Sequence, residues 1–231
     1  MELERVVESL AGAFGPRGWW PVPSLAGSDG RDAEGYLPGP SRPADRDAPA
    51  VRFEIACGAV LVQNARWSGA LAALRGLSAA GLLSPAAVAA APRPLLEAVI
   101  RPGGTYRIKA GYLAALAAAW DGIEDGRRSR DRLISIPGIG RETADCILVY
   151  CYGVPVFVAD AYARRCLRRL GFLDHAAGYE EAAVIAESLL PSSVAVLAES
   201  HALFVELGKR HCGRSARCGA CPLAASCPRL P

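Results

Sequence analysis

The feature that most constrains the fold lies near the C-terminus, where Cys212, Cys218, Cys221 and Cys227 fall within sixteen residues at the spacing C-x5-C-x2-C-x5-C. Four thiolates this close can surround one metal centre, and a 4Fe–4S cluster is a natural occupant. Two other occupants compete. A structural zinc usually shows two C-x2-C knuckles, whereas this segment has one. Two disulfides would suit a secreted chain, and nothing in the sequence suggests secretion. Cys57, Cys146, Cys151 and Cys166 sit in apolar helical contexts and read as ordinary buried thiols.

The rest of the chain reads as helical. Of its 231 residues 52% are hydrophobic, with Ala and Leu dominant, and only 7% are aromatic, which favours helices with small, close-packed interfaces. Apolar spacing predicts helices over 2–14, 52–63, 68–77, 84–91, 93–100, 105–120, 129–135, 141–152, 160–170, 178–189 and 194–210. Gly81, Pro85, Pro92, Pro102-Gly103-Gly104, Gly126, Pro137-Gly138 and Pro191 punctuate them. Residues 21–51 are rich in Pro, Gly, Asp, Arg and Ser without periodicity, and read as a loop or a disordered insertion. There is no strand series and no long-period repeat. The expected fold class is all-α with short connections.

Composition also narrows location and partners. Pro, Gly, Arg or Asp interrupts every apolar run before it reaches the length of a membrane span. The N-terminus, Met-Glu-Leu-Glu-Arg-Val-Val-Glu-Ser-Leu, is acidic and amphipathic rather than a signal peptide. The expectation is a cytoplasmic monomer with reduced thiols and no membrane partner, associated with the nucleoid if bacterial. The net charge of +3 proves nothing about nucleic acid, but from Lys209 onward five basic residues meet no acidic one. Arg127, Arg128, Arg130 and Arg132 form a second basic group. Either group is a solvated face or a phosphate contact.

A second motif is Leu133-Ile-Ser-Ile-Pro137-Gly138-Ile139-Gly140-Arg141-Glu142-Thr-Ala144. A helix ends, a tight turn carries two glycines around an apolar residue, and a new helix begins with Ala144, Ile147, Leu148 and Cys151 on its core face. The glycines allow a tight turn and close approach to another surface. Ile139 can plug the turn into the core. The amides at the new helix's N-terminus then point outward, where a phosphate is held by hydrogen bonds and the helix dipole. The plain alternative is an ordinary helix–turn–helix corner.

The full string resembles the helix-hairpin-helix of DNA glycosylases in the endonuclease III superfamily. So does the apolar run Val156-Phe157-Val158-Ala159 ending in Asp160, and so does Leu207-Gly208-Lys209-Arg210-His211 leading into the four cysteines. Phe53-Glu54-Ile55 and Gly58-Ala59-Val60-Leu61-Val62-Gln63-Asn64 add to the likeness, which spans about residues 52–227 and reaches back to Trp19. The resemblance implies a two-lobed fold with a cleft and a 4Fe–4S cluster held by Cys212, Cys218, Cys221 and Cys227. The N-terminal helix, 1–20, would join a C-terminal lobe, 153–231, that holds the cluster loop, 212–227. A helical barrel, 52–152, would end in the hairpin, 133–148. The partner the resemblance implies is damaged double-stranded DNA.

Two departures from the family pattern matter. Members that also cut the DNA backbone carry a lysine that attacks the sugar, and here Glu142 occupies that position, so lyase chemistry should be absent or weak. The first cysteine spacing is five residues where the common family pattern has six. The glutamate variant is similar to the subgroup acting on 3-methyladenine, which shows Trp-Trp-Pro near the N-terminus and Gln-Asn followed by an aromatic. Trp19-Trp20-Pro21 and Gln63-Asn64-Ala65-Arg66-Trp67 match these strings. The resemblance implies that Trp20, Pro21 and Trp67 line a base pocket, where aromatic faces attract a positively charged alkylated purine. On composition alone these tryptophans would be core residues.

A glycosylase must take its base out of the stack. The resemblance suggests that Gln63 fills the gap as a wedge; otherwise it is an exposed residue at a helix end. Cleavage builds positive charge on the sugar, and a carboxylate that stabilises it and orients water is assigned to Asp160. Asp160 also reads as an N-cap or an i,i+4 partner of Arg164. Gly138, Ile139, Gly140 and Arg141 of the hairpin, with Lys209, Arg210, Arg214 and Arg217 near the cysteines, are the expected phosphate contacts. The expected function is a monofunctional DNA N-glycosylase for alkylated purines such as 3-methyladenine. The alternatives are a bifunctional glycosylase/lyase for oxidised pyrimidines and a non-catalytic DNA-binding iron–sulfur protein.

Overall fold

The computed structural model describes residues 2–17, 20–28, 30–36, 44–124 and 129–229. Trp19, Arg127, Arg128 and residues 37–43 of the Pro/Gly-rich stretch lie outside the described residues. The helices are α1 (Leu3–Phe14), α2 (Pro49–Leu61), α3 (Trp67–Ala79), α4 (Pro85–Ala90), α5 (Arg93–Val99), α6 (Tyr106–Glu124), α7 (Arg130–Ile134), α8 (Arg141–Tyr152), α9 (Ala161–Arg169), α10 (Tyr179–Leu189) and α11 (Val194–Arg210). Among the described residues there is no strand, only an isolated antiparallel bridge between Cys212 and Ala216. The fold is all-helical, as its periodicity predicts.

Two boundaries differ from the sequence reading by more than two residues. α2 begins at Pro49 rather than at residue 52, because proline at the first helical position has its φ preset and loses no hydrogen bond there. α6 runs on to Glu124 because Trp120 and Ile123 continue its buried face. The described parts of 21–51 are irregular chain with 3-10 turns at Pro23–Leu25 and Ala44–Asp47. Val22 N–H donates to Gly35 O at 3.0 Å, and Asp32 N–H to Tyr36 O at 3.0 Å.

The described residues form two compact units: 2–17 and 153–229 make one, and 20–36 and 44–152 the other, so Trp20 falls with the second unit rather than with the N-terminal helix. One unit gathers α1 with α9, α10, α11 and the cysteine segment. Its core brings Leu3, Val6 and Leu10 of α1 onto Phe157, Phe204 and Leu207, and Leu223 from within the cysteine segment joins them. The other unit gathers α2 to α8 around α2, in which every residue from Phe53 to Leu61 is buried. Such a helix has no solvent face, so α3, α6 and α8 surround it.

α7 and α8 form the helical hairpin. The Ser129 hydroxyl caps α7 by accepting from Arg132 N at 3.1 Å. Arg130 grips the buried Asp145 carboxylate through Nε and Nη2, both at 2.8 Å, tying the two helices together. In the turn, Ile139 N donates to Ile136 O at 3.0 Å and both isoleucines are buried. Gly138 has φ 87°, and a Cβ there would fall 2.1 Å from the Tyr112 ring. At Gly140, by contrast, a Cβ would meet nothing within 4 Å. Gly138→Ala should therefore lower unfolding stability by about 2 kcal/mol or more, through backbone strain and the clash, while Gly140→Ala stays within about 0.5 kcal/mol of wild type. Paired thermal or urea denaturation checks this, and equal losses would remove Tyr112 as the reason for a glycine at 138.

Candidate active site

The first group of candidate residues lies in the α2–α8 unit. Gln63 follows the end of α2, and its Nε2 donates to Gly138 O and to Thr143 Oγ1, both at 2.9 Å. The expected wedge residue thus holds the glycine turn in this structure. Lys109 is buried, and its Nζ donates to Leu61 O at 2.7 Å and Gly103 O at 2.6 Å. Burial lowers the Lys109 pKa from 10.5. Its role is to satisfy the C-terminal carbonyl of α2.

Trp20 and Trp67 meet edge to face, with ring centroids 5.9 Å apart and planes at 83°. They do not form a parallel sandwich by themselves. Gly58 explains this placement: a Cβ there would lie 2.9 Å from Trp20 Nε1, so the indole lies on bare α2 backbone. Tyr150 approaches Trp20 at 5.4 Å and Tyr36 approaches Trp67 at 6.3 Å. Trp67 Nε1 donates to Glu34 Oε2 at 3.3 Å, whereas Trp20 Nε1 is buried without a hydrogen-bond partner among the described residues. Pro21, next in the chain, is also buried. Two buried charges position this segment. Arg46 Nη2 donates to Trp20 O. Glu54 accepts from Ser24 N at 2.9 Å and from the Ser24 hydroxyl. Burial raises the Glu54 pKa from 4.5, with the Ser24 hydrogen bonds and Arg46 opposing.

The hairpin's phosphate candidates present a mixed picture. Gly140 and Arg141 are exposed, Gly138 is half-buried, and Ile139 is the buried plug. Glu142 is exposed in the first turn of α8, where a carboxylate suits the helix dipole.

The second group lies in the other unit. Asp160 is the N-cap of α9: its Oδ1 accepts from Ala163 N at 2.7 Å. Its Oδ2 lies 3.8 Å from Nε2 of the buried His201 on α11. The described partners of Asp160 are therefore its own helix and His201 rather than Arg164. Lys209, Arg214 and Arg217 are exposed, and Arg217 Nη2 donates to Lys209 O at 2.8 Å. The Arg210 guanidinium is engaged by Glu206 and lies 5.3 Å over the Phe14 ring.

Cys212, Cys218, Cys221 and Cys227 line one cavity of about 80 Å³. Among the described residues no group of three or more His, Cys, Asp or Glu converges tightly enough to hold a single metal ion. The surroundings still suit thiolates. Arg169 Nη1 donates to Cys212 Sγ at 3.3 Å, and Arg229 N to Cys227 Sγ at 3.4 Å. The hydrogen bond from Cys166, with Arg169 and Arg165 nearby, pulls the Cys212 pKa down from 9.0 to about 6 despite burial. Arg165 Nε donates to Cys212 O at 2.6 Å, and Arg169 holds Gly213 O at 2.7 Å and Arg214 O at 3.0 Å.

Sequence reasoning missed several of these residues. Glu34, Tyr36 and Arg46 lie in the aperiodic stretch, where no pattern marks them. His201 is legible only as an apolar-face histidine. Arg165 and Arg169 carried a signal, a basic i,i+4 pair on an otherwise apolar-backed helix.

Residues 57–192 match the family described as HhH-GPD superfamily base excision DNA repair protein. The chain belongs to this superfamily. A relative provisionally named a DNA repair glycosylase, MJ1434 of Methanocaldococcus jannaschii, is 30% identical over 97% of this chain and 95% of its own length. Endonuclease III of Bacillus subtilis is 32% identical over 60% of this chain and 64% of its own. An endonuclease III in a non-covalent DNA complex superposes with a TM-score of 0.74 at 24% identity, covering 98% of this chain and 94% of that one. The H. pylori 3-methyladenine DNA glycosylase bound to 1,N6-ethenoadenine gives 0.69 at 23% identity, over 91% and 98%. These structural likenesses establish the fold. The protein is a base-excision-repair DNA glycosylase of the HhH-GPD superfamily.

The Glu54 carboxyl has a testable pH signature. Its pKa is raised by folding, so its contribution to stability is complete below its ordinary value of 4.5 and declines as pH rises through the elevated folded value. Glu54→Gln keeps an acceptor for Ser24 and should flatten that decline. Urea midpoints of wild type and variant across pH 4–8 measure it; parallel curves would dismiss Glu54 as the titrating group.

Proposed function

We propose that this HhH-GPD glycosylase excises alkylated purines, 3-methyladenine first, by hydrolysis of the N-glycosidic bond without cutting the DNA backbone. The observation that carries the reading is the aromatic group of Trp20, Trp67, Tyr36 and Tyr150 with the Glu34 carboxylate on Trp67. An alkylated adenine is cationic. Aromatic faces attract it by stacking and cation–π interaction, and a carboxylate adds Coulomb attraction.

Such a base is already a good leaving group, so the enzyme needs little acid catalysis. What it must stabilise is positive charge on the sugar. Asp160, an extended-backbone N-cap whose second oxygen faces His201, is the carboxylate assigned to that charge and to orienting water. Glu142 stands where a lyase would need an amine, and a carboxylate cannot form the imine. Gln63 would have to leave Gly138 and Thr143 to act as a wedge, giving up two hydrogen bonds at the moment DNA is engaged. Backbone amides of Gly138, Gly140 and Arg141, with Lys209, Arg210, Arg214 and Arg217, supply the phosphate contacts in this reading, Arg210 only after release from Glu206, whereas the Ile139 amide already donates to Ile136 O.

Cys212, Cys218, Cys221 and Cys227 would hold a 4Fe–4S cluster. A single zinc needs four sulfurs about 2.3 Å from one point, whereas a cluster of several atoms suits a cavity walled by four spaced thiols. The cluster would supply a structural anchor for residues 213–217, and this chain's arginines already hold the backbone there.

Base release and strand cleavage on 3-methyladenine and thymine-glycol duplexes test the proposal. Methylated base should be released without strand cleavage, and Asp160→Asn should reduce release by about 10²-fold or more. Asparagine caps a helix as well as aspartate, so this variant should melt near wild type, while Asp160→Ala loses about 1 kcal/mol. Strand cleavage at thymine glycol with borohydride trapping would instead establish a glycosylase/lyase. DNA binding with no base release from either duplex would leave a binding protein.

A further inference from the structure

Glu34 brings a carboxylate to the edge of the aromatic group. Its Oε2 accepts from Trp67 Nε1 at 3.3 Å, and the residue is half-buried. Among the described residues no cation pairs with this carboxylate, and Oε1 has no hydrogen-bond partner. The chain on either side holds it in place. Asp32 Oδ1 accepts from Glu34 N at 2.8 Å and from Tyr36 N at 3.0 Å, a side-chain turn that fixes the backbone of both residues. Arg75 Nη2, from α3, donates to Ala33 O at 2.6 Å, and Val22 N donates to Gly35 O at 3.0 Å. The same turn brings Tyr36 to Trp67. A neutral acceptor would serve the indole N–H equally well. What Glu34 adds is a negative charge, and a second oxygen, beside the aromatic faces.

An ionised carboxylate only accepts hydrogen bonds, so that second oxygen discriminates on two counts. Adenine methylated at N3 and guanine methylated at N7 carry a permanent positive charge and keep N–H donors. Coulomb attraction and a hydrogen bond both favour them. Hypoxanthine keeps an N–H donor but is neutral. In 1,N6-ethenoadenine the exocyclic nitrogen is closed into a ring and has lost its N–H, so lone pair would face lone pair. Such repulsion serves specificity as much as attraction does. We propose that Glu34 is the specificity-determining residue of the base site, a fixed charge that favours cationic purines and turns neutral ones away. The inference rests on the reading that the aromatic group receives the flipped base.

The test measures base release by wild type, Glu34→Gln and Glu34→Asp from duplexes carrying 3-methyladenine, 7-methylguanine, hypoxanthine or 1,N6-ethenoadenine, each set against spontaneous loss. Affinity for the same duplexes is measured in the Asp160→Asn background, so that a base held but not released is still counted. Glutamine keeps an acceptor for Trp67 Nε1 and removes the charge. Glu34→Gln should lower release of the methylated bases, and affinity for them, by about tenfold, the effect of one partly screened charge pair. Hypoxanthine and ethenoadenine should be handled as well as before or better. Glu34→Asp keeps the charge and should keep the preference for cations. An equal loss on all the duplexes overturns the proposal, because Glu34 would then only support Trp67. So does a glutamine variant indistinguishable from wild type. Wild type that releases neither methylated base defeats the base-site reading and the proposal with it, an outcome the wild-type arm identifies by itself.

Discussion

Helix α2 has no solvent face, and much of its unit depends on how its polar atoms are satisfied. Its C-terminal carbonyl at Leu61 would be orphaned in an apolar interior, and an unmet buried acceptor costs about 1–3 kcal/mol. The buried ammonium of Lys109 meets it and joins it to Gly103 O. With that end fixed, each turn of α2 presents a different tool. Glu54 holds Ser24, Gly58 leaves room for the Trp20 indole, and Gln63, just past the end, reaches the carbonyl of Gly138. One buried helix thus organises both the aromatic group and the glycine turn of the hairpin, so a disturbance at Lys109 would reach both.

Helix α9 plays the matching role in the other unit. It begins at Asp160, whose carboxylate caps it, and its later turns carry Arg165, Cys166 and Arg169 onto the cysteine segment. The guanidinium groups suit this task because each is a rigid fork of donors. Three carbonyls, those of Cys212, Gly213 and Arg214, are met by two arginines. The segment is therefore held by the helix independently of anything its thiols bind. The proposed catalytic carboxylate and the cysteine loop share one rigid element.

The hairpin shows how far local pattern can carry an argument. Pro137-Gly138-Ile139-Gly140 between two apolar-periodic stretches announces a tight turn with a buried plug, and the turn has that form. The reason for glycine at 138 was not legible, because it lies on Tyr112, far earlier in the chain. Likewise Asp160 reads as an N-cap from its own neighbours, while its approach to His201 depends on how α11 packs on α9.

The sequence alone determined the helices, the hairpin and the grouping of four cysteines. Each is governed by residues within a few positions of one another: apolar spacing at 3.6 residues per turn, proline and glycine punctuation, and short thiol separations. The family followed from the order of those motifs. Tertiary structure decided what each polar side chain meets. Gln63 holding the turn, Glu34 beside Trp67, Arg46 on the Trp20 carbonyl and Arg165 on the Cys212 carbonyl are contacts across long stretches of chain. A buried polar group must find a partner wherever packing places one, and no local pattern encodes that address.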